Sequence, residues 1–242
     1  MEPQYCFRVS LRTRRHGQVT GTAGSRMVRR ALPAIASVAA VAVAGVAVFS
    51  FLDPGPLSRH MAWHIALMNI AAPLVAIALT HRYLASAERN VPLWVVSTIQ
   101  IVLLWAWHAP WALRSVMEFQ LPQVLMHGSL FLAALLFWTL LLGLSHKARW
   151  QSIFMLLLTG KLACLLGVLL IFAPRLIYPA NQHAFSHSAM ADLSDQQLAG
   201  LLMITACPLS YLIAGVVIAA QMITDLGRRS GASEGRKLSV AG

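Results

Sequence analysis

The feature that most constrains this chain is a series of six long apolar runs separated by short polar segments. A helix that crosses the roughly 30 Å hydrocarbon core of a bilayer needs about 20 apolar residues, and these runs are of that order. Hydrophobic residues make up 58% of the 242 residues and charged residues only 11%, too apolar a composition for a soluble globule of this size. We therefore predict an all-α, polytopic transmembrane helix bundle of about six spans, at residues 31–52, 57–80, 91–108, 121–143, 150–173 and 198–222.

The chain divides into three predicted parts. Residues 1–30 are basic and lack hydrophobic periodicity, so we predict a disordered cytoplasmic segment there. Residues 31–226 form the predicted transmembrane domain, and residues 227–242 form a basic cytoplasmic tail. Met27 offers an alternative start, and the small residues at 42–45 leave open whether the first span is retained or cleaved.

The positive charges predict the orientation of the bundle. With six spans, both termini lie on one side of the membrane. Of the 19 Lys and Arg residues, only Arg59, Arg114 and Arg175 map to the opposite side, and Lys161 falls within a span. Because basic residues concentrate in cytoplasmic segments, both termini are predicted to be cytoplasmic. The net charge of +11 thus reflects topology, and no nucleic-acid binding is predicted.

The nine histidines are distributed unevenly on this topology. Three of them, His16, His81 and His146, map to the cytoplasmic side. The other six map to the outer half and are candidate metal ligands: His60, His64, His108, His127, His183 and His187. His60 and His64 are four residues apart, so they share one helix face, and the last two histidines repeat that interval in the loop before the final span. Histidines inside an apolar span are costly without a partner, which favours a shared ligand.

The chemistry of the neighbouring residues favours copper as that ligand. Imidazole suits zinc, copper and iron, and thioether sulfur shifts the preference toward Cu(I). Met61 and Met126 each adjoin one of the histidines, while no acidic residue lies inside the spans near them. Asp195 and Gln196, at the predicted start of the last helix, are further candidate ligands. Asp195 is also the expected N-cap of that helix.

Four motifs follow one another in this region: HMAWH at 60–64 with PL at 73–74, WHAP at 107–110, His127 with FW at 137–138, and DQQLAGLLM at 195–203. In order and spacing they resemble the CtaG-like integral-membrane assembly factors of caa-type cytochrome c oxidases. Ile204 departs from that family, which tends to carry Trp there. The resemblance implies a multi-pass protein of the bacterial plasma membrane that helps to mature a haem-copper oxidase, has oxidase subunits as partners, and handles copper on its outer side.

The residues leave several functions open beside copper handling by ligand exchange. Histidines on facing helices could instead hold haem in a membrane electron carrier. A metal transporter would need a polar path through the bilayer, and an assembly scaffold would need no metal. No nucleophile–base triad and no phosphate-binding loop occurs in the sequence, so an enzyme is not predicted.

Overall fold

The computed structural model describes residues 54–83, 91–144, 148–178 and 189–241, together with a few helical positions between 40 and 49. No strand occurs in these parts of the chain. The elements are helix α1 (Pro56–Ala66), a π-helical segment (Leu67–Ala71), and helices α2 (Ala72–Tyr83), α3 (Leu93–Trp107), α4 (Pro110–Glu118), α5 (Gln120–Leu142), α6 (Arg149–Phe172) and α7 (Ala189–Ala241).

Four of the described segments are long and apolar enough to cross a membrane: Pro56–Leu79, Gln120–Leu142, Arg149–Phe172 and Ala191–Arg228. Helices α3 and α4 together would make a fifth. The prediction of an all-α, polytopic membrane protein is therefore confirmed. The predicted first span, 31–52, and the N-terminal segment, 1–30, lie largely outside the described residues, so the count of six spans stays a prediction.

The predicted third span, 91–108, corresponds to helix α3, and the chain bends sharply at its end. Helix α3 has 15 residues, about 22 Å at 1.5 Å per residue, and the chain then bends by 72° into α4. Pro110 causes the break, because the residue before a proline disfavours helical geometry, and Ala109 is extended with ψ 139°. His108 consequently lies at the end of α3, at the corner between the two helices.

The last helix is longer than the predicted span at both ends. It begins at Ala189, well before residue 198, and continues to Ala241, through most of the predicted basic tail. Arg149 at the start of α6 forms an ion pair with Asp225 of α7 at 3.2 Å. This pair joins α6 and α7 at the end of the bundle opposite to His108.

Aromatic side chains fill the centre of the bundle around the π-helical segment. Trp138 of α5 stacks on Tyr211 of α7, with ring centroids 5.6 Å apart, and Phe137 packs edge-on against both rings. The Trp138 indole also donates a hydrogen bond to the Met68 carbonyl. Many large apolar side chains, such as Phe172 and Leu132, are instead exposed on the outside, as expected for a surface that lipid covers.

Helices α6 and α7 cross closely at two glycines. A Cβ atom on Gly200 would lie 2.7 Å from the Gly167 carbonyl oxygen, and one on Gly167 would lie 2.8 Å from the Gly200 carbonyl oxygen. Small residues let helix backbones approach in this way within membranes. The crossing therefore requires glycine at both positions.

We expect Gly200→Ala to lower the free energy of unfolding by about 1–3 kcal/mol, because the added methyl overpacks this crossing. Gly215→Ala, on the same helix, is the matched control: a Cβ there meets nothing within 4 Å, and removing glycine from a helix stabilises it by about 0.5–1 kcal/mol. Denaturation in detergent micelles followed by circular dichroism measures both. Equal effects of the two substitutions would contradict the close crossing.

Candidate metal centre

Four of the predicted histidines come together at one end of the bundle. His60 and His64 share a face of α1, with ring centroids 5.3 Å apart. The His127 ring of α5 lies 5.2 Å from His60 and 5.4 Å from His64, and the His108 ring at the end of α3 lies 5.4 Å from His64. We call these four residues the histidine cluster.

The spacing of the ring nitrogens suits a single metal ion. One ligand nitrogen each from His60, His64 and His127 lies within 4.8 Å of the other two. Imidazole nitrogens bound tetrahedrally at about 2.0–2.1 Å from a metal are about 3.3 Å apart. Small side-chain rotations would therefore bring these three nitrogens to one ion, with His108 next to them.

Backbone carbonyls fix the orientation of two of the rings. His108 Nδ1 lies 2.7 Å from the Leu104 carbonyl oxygen, and His127 Nδ1 lies 2.7 Å from the Gln123 carbonyl oxygen. A carbonyl only accepts hydrogen bonds, so in the neutral form of each ring the proton is on Nδ1 and the lone pair on Nε2. Metal-bound histidines are commonly oriented by such a hydrogen bond from the other ring nitrogen.

Three of the ring nitrogens in the cluster lack hydrogen-bond partners. Nε2 of His60, His64 and His108 is buried and has no hydrogen bond, and the three residues are only 3–6% exposed. Buried polar atoms without partners are rare, because each forfeits its interaction with water. Three such nitrogens in one cluster therefore fit a metal ion that would use them.

A groove of about 500 Å³ gives access to the cluster from outside. His60 and His127 contribute to its lining, together with Arg59, Met117 and Gln123. The groove reaches two members of the histidine cluster, whereas His64 and His108 lie behind them. An ion arriving through it would meet His60 and His127 first.

Asp195 is tied to the start of α1. Its carboxylate accepts hydrogen bonds from the backbone N–H groups of Leu57 (2.9 Å) and Ser58 (3.0 Å), and the Ser58 hydroxyl donates to the Asp195 carbonyl. The expectation that Asp195 caps its own helix is wrong, because α7 begins earlier, at Ala189. Asp195 instead caps α1, whose first N–H groups have no partner within the helix.

Glycine is required beside this cap. A Cβ on Gly55 would lie 2.1 Å from the Asp195 carboxyl carbon. The close approach brings a carboxylate to the positive end of the α1 dipole, which stabilises the helix start. Because α1 carries two of the four histidines, Asp195 sets the position of His60 and His64 without lying in the cluster.

Gln196 acts on a different segment. Its Oε1 accepts a hydrogen bond from the Ile177 backbone N–H at 2.8 Å, and its Nε2 donates to the carbonyls of Leu170 and Arg175. The side chain is 1% exposed. These three bonds fix the chain where it leaves α6.

Tyr178, next in this segment, reaches the histidine cluster. Its hydroxyl donates a 2.7 Å hydrogen bond to the His108 carbonyl. Burial raises the pKa of Tyr178 to about 12, so the hydroxyl stays protonated and donates at neutral pH. Gln196 is thus linked to His108 through residues 177 and 178, and it supports the position of His108 through this segment.

Of the remaining predicted site residues, the structure describes Met61 and Met126. Met61 and Met126 are both fully buried, and Met61 lines a small cavity together with His64. His183 and His187 lie outside the described residues, so their contribution stays a prediction.

Sequence reasoning missed two polar residues near the cluster, Asn69 and Gln100. Both are buried within apolar helices, and each has a side-chain oxygen without a hydrogen-bond partner. A polar amide side chain inside a membrane span itself suggests a function. By this rule both residues could have been recognised from the sequence.

A family model for the cytochrome c oxidase caa3 assembly factor (Caa3_CtaG) matches residues 5–225. The chain belongs to this family. The resemblance found in the four sequence motifs is confirmed by a match over most of the chain, which supports a role in cytochrome c oxidase assembly. No curated protein and no solved structure matches the chain.

We expect Asp195→Ala to lower the free energy of unfolding by about 1–3 kcal/mol, because two N–H groups at the start of α1 lose their acceptor. Asp192→Ala is the matched control, since it removes an acid one turn earlier on the same helix. We expect that change to stay within about 0.5 kcal/mol of wild type. Denaturation in detergent micelles compares the two, and equal losses would contradict the cap.

Proposed function

We propose that this assembly factor handles copper for insertion into a haem-copper oxidase, and that the histidine cluster is its metal site. The observation that carries the proposal is the set of buried Nε2 atoms without partners in His60, His64 and His108, beside His127. The ligands offered by the histidine cluster are imidazole nitrogens, which suit copper. The role is ligand exchange rather than bond-making catalysis.

The direction of transfer follows from the predicted topology. The positive-inside rule puts the cluster on the non-cytoplasmic side of the bacterial plasma membrane. Copper would approach through the groove at His60 and His127, with His183 and His187 as candidate capturing ligands. A subunit of cytochrome c oxidase docked at this face would receive the ion. Two exposed residues of the groove, Arg59 and Met117, are positioned to meet such a partner.

The geometry is unfavourable for the haem alternative. A haem held by two axial histidines lies between their rings and separates them. In this cluster the rings of His60, His64 and His127 are in mutual contact, at 5.2–5.4 Å between centroids. A single ion fits between the nitrogens, whereas a macrocycle would have to displace at least one helix.

The test is copper binding by the purified protein in detergent under anaerobic conditions. We expect the His60→Ala/His64→Ala double variant to lose at least one equivalent of Cu(I) relative to wild type, because two adjacent ligands are removed. His16→Ala, a histidine of the basic N-terminal segment, is the control and should bind as wild type does. Copper binding that is absent in wild type, or unchanged in the double variant, would refute the metal site and favour a metal-free scaffold.

A second prediction concerns the support of His108. We expect Gln196→Ala to weaken Cu(I) affinity about 10-fold, the lower range for losing a group that orients a ligand. Gln197→Ala is the matched control, because Gln197 is the exposed neighbour on the same helix. In a double-mutant cycle with His108→Ala, the effect of Gln196→Ala on affinity should largely vanish. Fully additive effects would show that Gln196 does not act through His108.

A further inference from the structure

A small cavity lies directly beside the histidine cluster. Its volume is about 20 Å³, which is enough to hold one water molecule or one ion of similar size. His64 belongs both to its lining and to the cluster, and the lining continues inward to Asn69 of the π-helical segment and Gln100 of α3. The cavity therefore extends from the level of the cluster toward the interior of the bundle.

Sulfur atoms are the common feature of the cavity lining. Met61, Met68, Met203 and Cys207 all contribute to it. The three methionines are 0–7% exposed, and Cys207 is a free thiol. Methionine usually adapts its shape to fill gaps in a core, yet a gap remains among three of them. Thioether and thiol groups together form a soft ligand set, which selects Cu(I).

Three polar residues of the lining each have a buried oxygen or nitrogen atom without a hydrogen-bond partner. Gln100 Nε2 donates to the Tyr211 hydroxyl at 2.8 Å, and its Oε1 has no partner. Asn69 Oδ1 has no partner either. His64 Nε2 also has no partner. No Lys or Arg lines the cavity, so the lining itself offers these atoms no cationic partner.

The π-helical segment supports a functional role for this place. Such segments are rare, and they occur frequently at functional sites. Leu67–Ala71 inserts both Met68 and Asn69 into the cavity lining. The Trp138 indole binds the Met68 carbonyl, so the irregular turn is held by a specific contact.

We propose that this cavity is a second Cu(I) site, with sulfur ligands from Met61, Met68, Met203 and Cys207, and that His64 passes the ion between it and the histidine cluster. The inference rests on the proposed copper function for the supply of the ion. Transfer is an exchange of nitrogen ligands for sulfur ligands, with no change in the oxidation state of the copper. Cys207 binds the ion as a thiolate, and its proton passes to the His64 ring nitrogen that the ion has left. The site would hold the ion away from water and oxidants until it is returned to the cluster.

The experiment is copper K-edge X-ray absorption, with a copper count, on the full-length protein saturated anaerobically with Cu(I). We expect sulfur scattering in wild type. In the Met203→Leu/Cys207→Ser variant, that scattering should fall sharply and the protein should bind one copper fewer, while nitrogen scattering remains. The control is Met155→Leu/Cys6→Ser, which changes the same residue types at a methionine of α6 outside the cavity lining and at a cysteine of the basic N-terminal segment, and it should leave both readouts unchanged.

The outcomes separate this inference from the function on which it rests. Nitrogen-only scattering in wild type, with copper that disappears in the His60→Ala/His64→Ala variant, would overturn the second site and leave the histidine cluster standing; the cavity would then hold water. Sulfur scattering that survives in Met203→Leu/Cys207→Ser would also overturn the assignment. Wild type without any bound copper would overturn both proposals.

Discussion

The contact between the Asp195 carboxylate and the first turn of α1 is the interaction on which the site depends most. It joins the first described span to the last one, 137–138 residues apart in sequence. The first N–H groups of α1 have no partner within the helix, and its N-cap residue, Gly55, has no side chain to supply one, so the acceptor comes from another helix. With that acceptor in place, α1 is fixed in height and rotation, and its two histidines meet those of α3 and α5.

The adjacent Gln196 has a comparable anchoring role on the other side of the histidine cluster. One turn of α7 thus carries two neighbouring side chains with separate tasks, one on α1 and one on the chain after α6. The second reaches His108 through Tyr178. This division explains why polar residues near the start of a long apolar helix matter to the histidine cluster, although they do not belong to it.

Sequence reasoning predicted the bundle and the histidine cluster because both follow from short-range rules. The length of an apolar run predicts a span, and the i, i+4 spacing of His60 and His64 puts them on one face. Topology then brings His108 and His127 to the same end. The partner of Asp195, the anchoring of Gln196 and the cavity beside His64 could not be predicted, because each depends on which helices pack together.

The π-helical segment at Leu67–Ala71 has a consequence for the helical phase of the whole span. A π turn accommodates one residue more than an α turn, so positions beyond it are rotated by about 100° relative to a continuous α-helix. A helical wheel drawn through residues 57–80 would therefore place the faces of α2 wrongly if it were aligned on His60 and His64. The span consists of two half-helices out of phase, one directed at the histidine cluster and the other at the aromatic core.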